Sequence, residues 1–136
     1  MSFDVSIVPC GSYDMGEVRA ALAAALAPLG GLDWVQPGMK IAVKVNLISA
    51  MRPDAAATVH PALLTALTEL LQERGASVVL GDSPGGLFTA AHLNRVYDVC
   101  GLRQCEQAGA ALNLDTAQTE AHAPEAVQAR DRKSVV

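Results

Sequence analysis

The feature that most constrains the fold of this chain is an alternation between short apolar runs and segments with helical periodicity. In residues 40–48, apolar side chains alternate with small or polar ones, which is typical of a strand. A second apolar run, residues 76–80, follows a segment with leucines at helical spacing. Strands that alternate with helices favour a parallel sheet covered on both faces. We therefore predict a three-layer α/β/α fold, Rossmann-like or flavodoxin-like, with a mostly parallel sheet of about four strands.

Turn and capping residues set the limits of these elements. The predicted strands are residues 5–8, 40–48, 76–80 and 110–114. The first helix begins after Asp14, with Glu17 completing a capping box. The second begins at Pro61, with His60 or Thr58 as its cap; the third follows Thr89, and a short helix spans residues 102–108. We predict one α/β domain over residues 1–114, followed at 115–136 by a polar tail or the start of a missing segment.

Composition narrows the class of protein. The chain has 136 residues, of which 51% are hydrophobic, so it suits one domain with a substantial core. Its formal net charge of −4 argues against nucleic acid as a partner. No apolar run approaches the roughly 20 residues that cross a bilayer, and the N-terminus does not read as a signal peptide. We therefore expect a cytoplasmic protein without a membrane partner.

The metal-binding residue types do not form a recognisable site. Cys10, Cys100 and Cys105 are an odd number of thiols, which fits a reducing compartment, and they are too few for a four-thiolate cluster. We expect no iron–sulfur cluster in this chain and interpret the three thiols as small hydrophobes. The spacing of His60, His92 and His122 matches no metal site. Any cofactor stays unknown at this stage.

Ligands of open parallel sheets bind beyond the carboxyl ends of the strands, and two such ends carry polar residues. After the predicted strand 76–80 come Asp82 and Ser83, followed by Gly85 and Gly86. Glycine-rich backbone exposes N–H groups to an anion, the serine adds a hydroxyl, and the aspartate can orient a group or hold a cation. The alternative is an ordinary turn between a strand and a helix.

A lysine and an asparagine mark the second strand end. Lys44 is out of place in a strand that is buried on both faces, so it requires a partner or a ligand. We expect Lys44 to bind a phosphate or carboxylate and Asn46 to orient it. The alternative is an edge strand from which Lys44 reaches solvent. His60 completes the candidate site, as an acid/base group or as a helix cap.

Several of these segments resemble a known family. Residues 44–47, 58–61 and 75–76, followed by the turn at 81–86, are similar to the domain of unknown function 362 family. The resemblance covers about residues 5–114 and implies an α/β fold in a family associated with iron–sulfur redox proteins. Many members are longer and carry a ferredoxin-like module whose cysteine runs have no counterpart here. We therefore expect this chain to correspond to the N-terminal part of such proteins.

Three functions follow from these observations. The first is binding of a small anion, a phosphate or carboxylate, by Lys44, Asn46, His60 and the turn from Asp82 to Gly86. The second is an enzyme in which Lys44 or His60 transfers a proton on a carbonyl substrate. The third is a non-catalytic assembly module, or a fragment, that associates with a second copy of itself through an exposed apolar face.

Overall fold

The computed structural model describes residues 5–116, which form helices and a parallel sheet. The predicted α/β class is therefore confirmed. The elements in chain order are α1 (Met15–Leu26), β1 (Lys40–Lys44), α2 (Pro61–Glu73), β2 (Ser77–Gly81), α3 (Ala90–Val99), α4 (Arg103–Gln107) and β3 (Ala111–Leu112). Most of the predicted tail, from residue 117 onward, lies outside the described residues. No helix within residues 5–116 is long and apolar enough to cross a membrane.

Within residues 5–116, the sheet has three strands in the order β1–β2–β3, and both pairings are parallel. Lys40 lies opposite Ser77 and Lys44 lies opposite Gly81. The strand number differs from the predicted four because residues 5–8 form no strand. Val5 is 77% exposed and Ile7 is 89% exposed, so this apolar run pairs with no described strand.

Helices α1 and α3 begin where the sequence predicts, but the capping of α1 differs in detail. Asp14 accepts from the N–H groups of Gly16 and Glu17, as an N-cap does. The Glu17 carboxylate reaches past the cap, to the Gly11 N–H and the Ser12 hydroxyl, instead of to the Asp14 N–H. The Asp14 N–H already donates to Ser12 Oγ, which removes the target of a capping box.

One face of the sheet forms the main core. Val78 and Leu80 of β2 are buried there together with side chains of α2, and α3 contributes Val96 and Tyr97. The alternation of side chains along a strand places every second residue on the opposite face. On that face Lys40, Ala42, Lys44, Ser77 and Ala111 are all exposed. The helical layer predicted for this second face is not found among residues 5–116.

The first strand is shorter than predicted because Asn46 leaves the extended conformation. Its φ is +58°, in the left-handed region that asparagine tolerates better than most residues. The strand therefore ends at Lys44, although Val45 and Leu47 beyond it are still buried. The Val45 N–H donates to the Gly81 carbonyl at 3.2 Å. This bend starts the loop that carries the candidate site.

Candidate functional site

An ion pair joins the carboxyl ends of β1 and β2. Lys44 Nζ lies 2.7 Å from Asp82 Oδ1, because Lys44 is opposite Gly81 and Asp82 follows Gly81 directly. The Lys44 side chain is 56% exposed, whereas that of Asp82 is 7% exposed. The ammonium is thus held at the surface by a nearly buried carboxylate.

Asp82 also binds the backbone on both sides of the site. Its Oδ2 accepts from the Leu47 N–H at 2.7 Å, and its Oδ1 accepts from the Ser83 N–H at 2.8 Å. Burial raises the pKa of Asp82. The hydrogen bonds from Lys44 and from the two backbone N–H groups lower it by more, so the net shift of the pKa is downward. Asp82 is therefore a carboxylate at neutral pH that ties the loop after β1 to the loop after β2.

These contacts show what Asp82 binds among the described residues. It orients Lys44 and the two loops, and its oxygens are already engaged by three donors. Within residues 5–116, no group of three or more histidine, cysteine, aspartate or glutamate side chains is placed to hold a metal ion.

Several donors around the ion pair stay available to a ligand. An ammonium carries three N–H bonds, and Asp82 is the one partner that Lys44 has among the described residues. The side chains of Asn46 and Ser83 and the N–H of Gly86 make no hydrogen bond within that same part of the chain. The predicted role of the Gly85 N–H as an anion donor is wrong, because that group donates to the Ile48 carbonyl at 2.9 Å.

A histidine that was not among the predicted site residues contacts the loop after β2. His92 Nε2 is 3.0 Å from the Gly85 carbonyl oxygen. Gly86 has a φ of +104°, and a Cβ there would lie 3.1 Å from His92 Nε2. Glycine is therefore favoured at this position by conformation, and a larger residue would also require the His92 ring to shift. The sequence signal for this contact was that His92 lies in the first turn of α3, three residues after the N-cap Thr89.

A buried tyrosine holds the backbone that follows β3. This role was not predicted from the sequence. The Tyr97 hydroxyl donates to the Asn113 carbonyl at 2.6 Å, beyond the end of β3. Burial, with a smaller contribution from the Asp82 charge, raises the pKa of Tyr97 to about 12. Gly81 is small for a related reason, since a Cβ on it would lie 3.0 Å from Asn113 Cβ. Tyr97 is thus neutral at pH 7, and its hydroxyl holds the Asn113 backbone next to Gly81.

His60 belongs to a different part of the molecule. Its Nδ1 accepts from the Ala62 N–H at 3.1 Å, which makes it the N-cap of α2. Its ring stacks on Tyr13, with centroids 3.5 Å apart and planes 10° apart. Burial lowers the pKa of His60, so the ring is neutral at pH 7 and carries its proton on Nε2. Within residues 5–116, no hydrogen bond, ion pair or ring contact joins it to Lys44 or Asp82.

The other predicted cap of α2 is wrong. Thr58 does not cap the helix, and its hydroxyl oxygen is buried without a hydrogen-bond partner in the described part of the chain. Both Thr58 and His60 line a mostly apolar groove of about 650 Å³ between α1 and the start of α2. The structure thus brings together Lys44, Asn46 and the loop from Asp82 to Gly86, and places His60 elsewhere.

Comparison with known proteins agrees with the family resemblance. The family model described as "Domain of unknown function (DUF362)" matches residues 41–134. A curated relative, the thylakoid-associated protein sll1697 of a Synechocystis strain, is 37% identical over 81 residues. The match covers 59% of this chain and 25% of the relative, so the chain spans about a quarter of that protein's length. No solved structure matches.

Proposed function

The chain belongs to the DUF362 family of domains of unknown function, and we propose that its site at the ends of β1 and β2 binds a small anion. The ligand is a phosphate or a carboxylate. One observation carries this proposal: the half-exposed Lys44 ammonium is fixed by Asp82 and still has N–H bonds that face no described residue. Asn46, Ser83 and the Gly86 N–H lie on the two loops that Asp82 ties together.

The site recognises its ligand by directed donors and not by excess charge. Lys44 and Asp82 cancel each other formally, so the net charge at the site is close to zero. A hydrogen bond to a charged group contributes about 1.5–3 kcal/mol, and part of this is offset by the free energy that association costs. We therefore expect a dissociation constant between about 10 μM and 1 mM.

The left-handed conformation of Asn46 is consistent with this role. Non-glycine residues in that region are concentrated at ligand sites, because surrounding contacts must hold them there. Here the neighbours of Asn46 are fixed on both sides, by the Val45 N–H on Gly81 and by the Leu47 N–H on Asp82. Asn46 is thereby held in an exposed position directly after β1.

Calorimetric titration with inorganic phosphate and with acetate tests the proposal. We expect Lys44→Met to weaken binding at least tenfold and Asn46→Gly, which keeps the backbone conformation, to weaken it several-fold. Lys40→Met is the matched control, since Lys40 is exposed on the same face at the other end of β1. Absence of binding by the wild-type protein contradicts the proposal. Equal losses in Lys40→Met and Lys44→Met also contradict it, because they indicate bulk charge.

We also propose that the protein acts in the cytoplasm, on the ground of its composition and unpaired cysteines. Proton transfer by Lys44 or His60, and self-association, stay predictions. Both residues are engaged in the structure, Lys44 with a carboxylate and His60 Nδ1 with a backbone N–H, and neither contact favours catalysis over binding.

A further inference from the structure

We infer that the anion bound at this site carries an apolar group, so that the ligand is a water-soluble amphipathic phosphate or carboxylate. This inference rests on the proposed function and specifies its ligand class. The observation is that large apolar side chains stand exposed on both loops of the site. Ile48 is 56% exposed on the loop after β1, and Leu87 is 76% exposed on the loop after β2.

The two residues, which we call the rim of the site, lie on loops that a backbone hydrogen bond joins. The Gly85 N–H donates to the Ile48 carbonyl at 2.9 Å, and Leu87 follows Gly85 by two residues. Ile48 likewise follows Asn46 by two residues, and Leu87 is adjacent to Gly86, whose N–H is available. The polar donors and the apolar side chains therefore alternate along the same two loops.

The residues around Leu87 make contacts of their own, whereas the Leu87 side chain stays exposed. Pro84 before it is buried, and Phe88 after it packs against the core. His92 holds the Gly85 carbonyl, and the Thr89 N–H donates to the Leu87 carbonyl at 3.0 Å. A leucine held outward in this way has no packing role within residues 5–116, whereas burial against a ligand removes its apolar surface from water.

A small ligand fits this rim better than an extended partner does. Within residues 5–116, the large apolar side chains exposed on the two loops are Ile48, Leu87 and, at 38% exposure, Met51. Three side chains are far less than the roughly 800 Å² per partner of a stable protein interface, but they can cover the aliphatic or aromatic part of a small molecule. The anionic end then reaches Lys44 while the apolar end lies between the loops.

The test is calorimetric titration of the intact chain with inorganic phosphate and with ethyl, butyl and hexyl phosphate. Because a fully buried methylene contributes about 0.8 kcal/mol, we expect binding to tighten about two- to fourfold for each methylene added. Leu87→Ser and Ile48→Ser should flatten this series while leaving the affinity for inorganic phosphate within about twofold. Leu29→Ser is the matched control, an exposed leucine in the turn Ala27–Leu29 that follows α1.

The outcomes separate this inference from the proposed function. If inorganic phosphate binds and the alkyl series is flat, the inference is overturned and the anion site stands. If inorganic phosphate, acetate and the esters all fail to bind, the proposed function itself fails. A series that stays steep in Leu87→Ser and Ile48→Ser overturns the assignment to this rim. Cosedimentation with phosphatidic acid vesicles without binding of the soluble esters also overturns it, because the apolar contact then belongs to a bilayer surface.

Discussion

Asp82 and His60 are ionisable residues that both lie directly next to a secondary structure element, but their contacts and their charges differ. Asp82, after β2, accepts from two backbone N–H groups and a lysine. His60, before α2, accepts from one N–H of its own helix and stacks on Tyr13. Both pKa values are lowered, yet this keeps Asp82 charged and His60 neutral. This comparison shows that the role of such a residue depends on its hydrogen-bonding partners and not on its position at the end of an element.

The largest contrast is expected from removing each side chain. Asp82→Ala leaves the Leu47 and Ser83 N–H groups and the Lys44 ammonium without their acceptor. We expect the free energy of unfolding to fall by about 2–4 kcal/mol, since each unsatisfied buried group costs about 1–3 kcal/mol. Urea denaturation followed by circular dichroism measures this. A loss no larger than that of His60→Ala would show that the carboxylate does not tie the two loops.

The cap of α2 should be replaceable, unlike Asp82. His60→Ala removes one N-cap and should lower the free energy of unfolding by about 1 kcal/mol. His60→Asn supplies another oxygen that can cap the helix, so most of this loss should be recovered in the same denaturation experiment. If asparagine does no better than alanine, the contribution of His60 lies in its stack on Tyr13 and not in the cap.

The Lys44 ion pair should affect titration more than stability. Lys44 is half-exposed, so Lys44→Met is expected to lower the free energy of unfolding by less than about 1 kcal/mol. The pKa of Asp82 should nevertheless rise in this variant, because the lysine hydrogen bond and charge are among the causes that lower it. Carboxyl carbon NMR across an acid titration measures this pKa, and Lys40→Met should leave it unchanged. An unchanged pKa in Lys44→Met would contradict the pairing.

The smallest expected effect is a difference in the pH ranges over which the two sites stabilise the fold. A histidine whose pKa is lowered on folding stabilises the protein above its unfolded pKa near 6.5 and loses this as the pH falls below that value. Asp82 stabilises above its unfolded pKa near 3.9 and loses this only in stronger acid. Melting temperatures from pH 8 to pH 3 should show that His60→Asn reduces the decline near pH 6 and not the one below pH 4. Identical profiles would count against the assignment to His60.

The sequence predicted the fold class because many residues contribute to the alternation between strand-like and helix-like periodicity. The helix caps Asp14 and Thr89 were also predictable, since an N-cap depends on contacts a few residues apart. The end of β1 was not, because alternation continues through residues 45–47 while the backbone turns at Asn46. Residues 5–8 have the composition of a strand, but a strand also needs a neighbour, which composition does not specify.

The sequence predicted the candidate site only to the extent that it predicted the carboxyl ends of the strands. Lys44 and Asp82 meet because β1 and β2 are adjacent and parallel, a register that no local pattern reveals. His60 was grouped with them because it precedes a helix and can act as an acid/base group, but its contacts are with Ala62 of its own helix and with Tyr13. His92 and Tyr97 escaped notice because their roles depend on contacts with the Gly85 and Asn113 carbonyls.

The parallel pairing of β1 with β2 also sets the order in which the chain can acquire its structure during synthesis. Within residues 5–116, residues 40–44 pair with residues 77–81 alone, which leave the ribosome later, and α2 lies between them. Through that interval the helix can form from local contacts, whereas the strand must wait with its apolar side chains in water. The lysines at both ends of β1 then keep an unpaired, aggregation-prone segment charged while translation proceeds.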